Sequence, residues 1–377
     1  MKYIEEFRDR ALAVKLAESI QTEARAGQGR VYRFMEFCGG HTHAIFRFGI
    51  PDLLPPEIKL VHGPGCPVCV LPMARIDAAI QIAQIPDVVL CTYGDMMRVP
   101  GGKRLSLMKA KAAGADVRMI TSPSEAVTLA QNNPHKQIVF FAIGFETTTP
   151  PTAVVLKQAR ALGLKNFSVF CNHVLTPPAL AWLLESGKDQ SADVPELDGF
   201  IGPSHVSAII GTKPYEIAAT AYGKPVVIAG FEPLDVMQSI LMLLRQVNSG
   251  QAKVENEYAR AVTREGNVKA QVLMREVLTL RDSFEWRGLG WLPHSGLRLN
   301  DAFSDMDAEQ RFSFNVEDVR ENRACQCPAI LRGAKEPADC PLFGKACTPD
   351  NPIGSCMVSS EGSCAAWYSY GRGRQGN

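Results

Sequence analysis

The 377 residues carry 40 Lys and Arg against 39 Asp and Glu, a formal net charge of +1, with 46% hydrophobic and 21% charged residues. A near-neutral chain without basic clusters is a poor partner for nucleic acid or an anionic membrane. Its length points to two or three domains whose cores fold without staples, so the eleven cysteines need a chemical explanation rather than a mechanical one.

The first residues, MKYIEEFRDR, contain no apolar signal core, and no apolar run reaches the roughly 18 residues of a membrane helix. The expectation is a cytoplasmic protein with no membrane partner. In a reducing compartment cysteines serve more often as ligands or redox groups than as structural bridges.

From Val31 to about Gly250 the pattern repeats strand, Gly/Pro turn, helix. It predicts strands at Tyr32–Cys38, Ile58–His62, Val88–Tyr93, Val117–Thr121, Ile138–Phe145, Phe167–Cys171, Gly199–Ile201 and Pro225–Phe231. Between them it predicts helices such as Arg75–Gln84, Ser124–Gln131, Ala153–Leu162 and Val236–Val247. Short apolar strands alternating with helices make doubly wound parallel sheets, so the fold class is α/β. Asn132-Asn133-Pro134 is the best break between halves, giving a first α/β domain over 1–132 and a second over 133–250. Gly144-Phe145-Glu146 and Gly230-Phe231-Glu232 each close an apolar strand and hint at two similar lobes. Residues 251–377 form the third unit: Glu255–Leu280 reads as charged and helical, a Gly/Trp-rich stretch follows at 285–291, and six cysteines lie from Cys325 onward.

Four constellations could carry chemistry. Cys38-Gly39-Gly40-His41-Thr42-His43 follows a strand and opens a helix, where ligands of open α/β sheets bind. The helix dipole there favours a thiolate, and two glycines permit close approach. The plainer reading is a buried thiol on a Gly turn with two surface histidines. Cys66-Pro67-Val68-Cys69, also after a strand, has the spacing of a thiol–disulfide pair or half a metal site. Because both motifs end strands, Cys38, Cys66 and Cys69 are expected to share one sheet edge and one cleft. Glu146, beside Thr147, Thr148 and Thr149, offers a carboxylate to a small polar ligand, although a capped helix start, Thr149 before Pro150, fits as well. His173 and His205 read as structural, and Cys91 and Cys171 as inert core thiols. In the tail, Cys325, Cys327, Cys340, Cys347, Cys356 and Cys364 lack the paired Cys-x-x-Cys of a zinc ribbon. Their spacing favours an iron–sulfur cubane, with zinc still open.

Cys38-Gly-Gly-His-Thr-His43, Gly63-Pro-Gly-Cys-Pro-Val-Cys-Val70, Gly144-Phe-Glu-Thr-Thr148, Glu285-Trp-Arg-Gly-Leu-Gly290, Pro341-Leu-Phe-Gly344 and Ser359-Ser-Glu-Gly-Ser-Cys-Ala-Ala-Trp-Tyr368 together resemble the HypD family of NiFe-hydrogenase maturation factors. The similarity runs over essentially the whole chain. The resemblance implies two α/β domains facing a cleft and a Cys-rich C-terminal iron–sulfur domain. It implies a scaffold, rather than a turnover enzyme, on which the Fe(CN)2(CO) unit is assembled with a HypC-like chaperone and a HypE-like cyanide donor. Cys38 would hold the iron of the nascent cofactor as a metal ligand, with His41, His43 and Glu146 around it and Cys66 and Cys69 as a nearby redox pair. Cys327, Cys340, Cys347 and Cys364 would bind a 4Fe-4S cluster, and Cys325 and Cys356 would be a spare redox pair. Three redox elements in one chain motivate a relay from cluster to dithiol. The competing readings are a free-standing cluster-linked thiol–disulfide oxidoreductase and a zinc enzyme with a structural zinc tail.

Overall fold

A computed structural model describes residues 5–188, 193–315 and 322–371. Among these residues nine parallel strands form two sheets. The first, in the order β2-β1-β7-β8-β9, contains β1 (Tyr32–Glu36), β2 (Ile58–His62), β7 (Gly199–Gly202), β8 (Val226–Ile228) and β9 (Val254–Asn256). The second, in the order β4-β3-β5-β6, contains β3 (Val88–Thr92), β4 (Asp116–Met119), β5 (Gln137–Gly144) and β6 (Phe167–His173). All eight predicted strands are present, and β9 is an addition.

The long strands β5 and β6 are buried almost from end to end because both of their faces are covered. Along β5, Ile138, Phe140 and Ala142 enter one core while Val139, Phe141 and Ile143 enter another. In the first sheet, Tyr32 and Phe34 face the helices Arg10–Ala26 and Pro233–Asn248, while Met35 and Phe37 face the opposite core with Leu180 and Tyr215. Alternation between two buried faces is the signature of parallel sheets layered by helices.

The sheets do not divide the chain at Asn132-Asn133-Pro134. Strands β4 and β5, on either side of it, belong to one sheet, and the first sheet is completed only by β7, β8 and β9. The Asn/Pro signal there is the end of a helix, Pro123–Asn132, with Asn133 as its cap; a helix stop and a domain boundary look alike locally. Position 250 likewise falls before β9, the edge strand of the first sheet. Helix Thr176–Ser186 follows the second sheet yet places Leu180, Leu183 and Leu184 in a core of the first, tying the lobes together.

Of the predicted helical stretch Glu255–Leu280, only Val268–Val277 is helical. Gly266, at φ +68, breaks the chain, and the Asn267 side chain accepts from the Ala270 N–H at 3.0 Å to start the helix there. The segment then enters β10 (Leu278–Leu280), which pairs antiparallel with β13 (Leu297–Leu299). Between them β11 (Ser283–Trp286) and β12 (Gly290–Pro293) form a hairpin. Trp286, 1% exposed, donates its indole N–H to Ser295 at 3.0 Å and packs on Phe145, joining this hairpin to the end of β5. The Cys-rich tail is not a separate body. Cys327, Ile330, Cys356, Met357 and Cys364 share one continuous core with Cys66–Leu71 and a face of the second sheet. No helix among the described residues is long and apolar enough to cross a membrane.

Candidate functional site

Adjacent pairing of β1 and β2, with Glu36 opposite His62, brings the two N-terminal cysteine motifs to one sheet edge. Cys38 ends the β1 turn as the N-cap of helix Gly39–Arg47; its carbonyl accepts from the His41 and Thr42 N–H groups at 2.9 and 3.1 Å. The Cys66 turn lies directly against it: the Gly39 N–H donates to the Gly65 carbonyl at 3.0 Å. A Cβ on Gly65 would stand 2.3 Å from the Cys38 nitrogen, so only glycine allows this approach. Cys38, Cys66 and Cys69 therefore do share one sheet edge.

Behind Cys38 lies a carboxylate that the motifs do not reveal. Glu36, 1% exposed, accepts from the Cys38 N–H at 3.2 Å, from His62 Nδ1 at 2.8 Å and from the Thr42 hydroxyl. It fixes the strand end, the helix start and β2 at once. A carboxylate set between the apolar Met35 and Phe37 at a strand end was the available signal.

The glycines of the Cys38 motif are occupied by the chain itself. A Cβ on Gly39 would collide with Glu361 at 2.4 Å, and one on Gly40 with the Phe231 ring at 2.4 Å. The tail residue Glu361 thus comes down beside Cys38. Burial, and then the nearby Glu361 carboxylate, push the Cys38 thiol up to about 12. The backbone N–H groups of Gly40 and His41 act in the opposite sense but are outweighed, so the thiolate expected at this helix start is not favoured by the protein alone. Cys38 is nonetheless partly exposed.

His41 is fully buried. Its Nε2 faces the Ala229 and Gly230 carbonyls at 3.1 and 3.0 Å and Ser204 Oγ at 3.1 Å, and burial lowers its pKa to about 4. It is a neutral anchor that ties the Cys38 helix to the turn after β8. That turn, Gly230-Phe231-Glu232, is held by Glu257, which accepts from the Gly230 N–H at 3.1 Å, and by Asp235, which accepts from Glu232 and Arg260. Phe231 packs on both His41 and His205. His43, half-buried, meets the Tyr370 ring of the tail helix Ser363–Tyr370, and Phe46 one turn on meets Trp367.

Glu146 is also buried. Its carboxylate accepts from the Thr176 N–H at 2.9 Å and the Thr176 hydroxyl at 3.0 Å, capping the helix that joins the lobes. Burial raises its pKa to about 7. The helix start expected at Thr149-Pro150 is there, but its N-cap is Thr148 and it has no side-chain cap hydrogen bond; Glu146 instead serves the start of the helix Thr176–Ser186. His173, held by Thr152 at 2.8 Å, and the buried thiols Cys91 and Cys171 are structural, as their sequence setting indicates.

Cys66 and Cys69 are joined as a disulfide with Cα atoms 5.2 Å apart, and both are buried. The tail touches this pair: Ser355 Oγ donates to the Cys69 carbonyl at 2.9 Å, and the Cys69 sulfur lies 4.0 Å from the Ser355 carbonyl. The neighbour of Ser355, Cys356, donates its N–H to the Cys327 sulfur at 3.3 Å. Cys325, Cys327, Cys340, Cys347 and Cys364 line one small cavity closed by Phe343, Gly354 and Met357. The Ile353 N–H donates to the Cys347 sulfur at 3.3 Å. All four residues expected to bind a cluster are brought together, with Cys325 beside them and Cys356 against Cys327 and Cys364. Among the described residues no group of three or more His, Cys, Asp or Glu side chains is arranged to hold a single metal ion.

Comparison with known proteins places this architecture in context. The family model described as "HypD: Hydrogenase formation hypA family" matches residues 11–371. The hydrogenase expression/formation protein HupD of Azotobacter chroococcum is 62% identical over 375 residues, covering 100% of this chain and 98% of the relative. The hydrogenase maturation factor HypD of Azotobacter vinelandii is also 62% identical over the same spans. That of Escherichia coli is 46% identical over 373 residues and 98% of both chains. Identity of this extent, from one end of the fold to the other, makes the chain a member of the HypD family of hydrogenase maturation factors.

Proposed function

We propose that this chain acts in hydrogenase maturation as a scaffold on which the Fe(CN)2(CO) unit is assembled, together with a HypC-like chaperone and a HypE-like cyanide donor. The observation that carries the reading is the unbroken contact of three cysteine-bearing segments: the Cys38 turn touches the Cys66 turn backbone to backbone, and Ser355 of the cysteine-rich tail bonds the Cys69 carbonyl.

In this reading the iron unit is cargo and Cys38 is its anchor. Iron(II) bearing cyanide and carbonyl is soft, and a thiolate suits it. Burial and Glu361 favour the protonated Cys38 thiol, so binding to iron(II) would release that proton to solvent, and reprotonation of the sulfur would favour departure of the finished unit. Glu36 holds the Cys38 N–H and fixes the geometry of the turn. His41 positions the helix through its neutral ring.

The tail suits a 4Fe-4S cluster held by Cys327, Cys340, Cys347 and Cys364. The thiols line one apolar cavity, and two sulfurs already accept backbone N–H groups, the contacts that tune such clusters. When bound, the cluster supplies one-electron chemistry. The chain's contribution is to set Cys356 against two of those sulfurs and, through Ser355, against Cys69.

Burial of the Cys66–Cys69 pair disfavours a free-standing thiol–disulfide oxidoreductase, because an external thiol must reach a sulfur to exchange with it. The test is assembly with a HypC-like partner and iron. Cys38→Ala is expected to abolish iron retention and the thiol-dependent complex. Cys66→Ala is expected to leave the complex but stop cofactor assembly. Undiminished assembly in Cys66→Ala would remove the dithiol from the mechanism, and iron retention by Cys38→Ala would remove the anchor.

A further inference from the structure

A second cavity, about 500 Å³, lies on the side of the tail facing the helix Met73–Ala83, the turn at 98–106 and the start of the helix Leu107–Ala112. Its volume falls within the range of small-molecule sites. Five cationic side chains line it, Arg98, Lys103, Arg104, Lys109 and Arg287, against a single acid, Asp350. Its far wall carries Cys325 and Cys327. None of the chemistry described above uses this space.

Two of the cations stand on strained backbone. Lys103 and Arg104 are adjacent non-glycine residues at φ +53 and +58. A left-handed conformation is unfavourable for residues with a Cβ. The turn is pinned by Asp77, whose two carboxylate oxygens accept from the Gly102 N–H at 2.8 and 3.0 Å, and by the Gly101 N–H on the Leu105 carbonyl at 2.9 Å. Lys109 Nζ donates to the Arg104 carbonyl at 2.6 Å. The consequence of the strain is to keep both cations at the cavity mouth. Strain of this kind persists where the surroundings over-determine it, and it clusters at ligand clamps. Arg98 is fixed on the wall by its bonds to the Pro349 and Val358 carbonyls, and Arg287 is 4% exposed. Five positive groups gathered about one concavity repel one another, and one aspartate offsets only part of that.

We propose that this cavity binds a small anion bearing carboxylate or phosphate groups, held by the guanidinium and ammonium groups and covering the Cys325 thiol. Guanidinium groups pair with either oxyanion in bidentate fashion. The inference goes beyond the assembly role and does not rest on it, since it is read from the cations that line the cavity.

The test uses the full-length chain, reduced with dithiothreitol and desalted. Cys325 and Cys38 are alkylated with iodoacetate, an anion, or iodoacetamide, its neutral analogue, and each site is followed by peptide mass spectrometry. The ratio of the two rates cancels each thiol's own ionisation. Cys38, beside Glu36 and Glu361, serves as the reference of opposite field. The iodoacetate-to-iodoacetamide ratio at Cys325 should exceed that at Cys38 by about tenfold at low salt, as electrostatic focusing of a charged reagent produces, and it should fall as salt is raised. The double substitution Lys103→Gln with Arg104→Gln should remove most of the excess. Citrate or inorganic phosphate should slow alkylation of Cys325 by both reagents, and whichever acts at lower concentration identifies the oxyanion class. Equal ratios at the two sites, no protection by either anion, or a reduced Cys325 inert to both reagents would overturn the proposal.

Discussion

Glu36 and Glu146 show how much of this site rests on buried carboxylates. Replacing Glu36 with Ala leaves the Cys38 N–H, the Thr42 hydroxyl and His62 without their shared acceptor. The expected cost is about 3 kcal/mol in chemical denaturation, with Glu36→Gln retaining part of the network. Glu146 gives a pH signature. Its folded pKa is raised to about 7 by burial, above the value of an exposed glutamate. The folded state therefore holds a proton that the unfolded state loses first. Stability owed to that proton is complete below the unfolded pKa and is lost as pH rises through about 7. Glu146→Gln should flatten this decline and leave the variant more stable than wild type at pH 8, on the order of 2–3 kcal/mol, as read by urea melts across pH. Cys38, Cys66 and Cys69 were legible because their spacing is chemical. Glu36 was not, because its meaning depends on His62 lying opposite it on a partner strand.

At the level of elements, the contact between the β1 and β2 turns is the vulnerable joint. Gly65→Ala would force a methyl carbon against the Cys38 nitrogen and the Phe37 carbonyl carbon, each 2.3 Å away and both backbone atoms that cannot swing aside. The variant should lose about 2 kcal/mol or more in thermal melts, and its Cys38 should alkylate faster as the turns separate. Apolar runs closed by Gly or Pro located all eight predicted strands, because such runs are dictated by burial on both faces. The stretch 255–280 misled because its charge pattern suits a helix while Gly266 and Asn267 fix the true start only at Val268. The echo of Gly144-Phe145-Glu146 in Gly230-Phe231-Glu232 does mark the same place in two sheets, yet the side chains have diverged. Phe145 packs on Trp286, whereas Phe231 packs on two histidines.

For the whole molecule, the shared core of tail, Cys66 segment and second sheet predicts that the tail cannot be removed cleanly. A chain ending at Asn315 should bind a hydrophobic dye and lose cooperative unfolding, whereas two independent transitions in the intact chain would contradict the shared core. Trp286→Ala, which empties the joint between hairpin and β5, should cost about 3–5 kcal/mol by denaturant melts. Sheet membership was the least legible feature, since pairing of β1 with β7 joins residues more than 160 positions apart and leaves no local trace at Asn133. That topology sets the order of events during synthesis. The Cys38 turn has to wait for β7 to emerge before the sheet it follows closes, and it gains Glu361 only when that residue, far later in the chain, has been made. A nascent chain that stops short of Glu361 thus lacks one wall of the surroundings of Cys38.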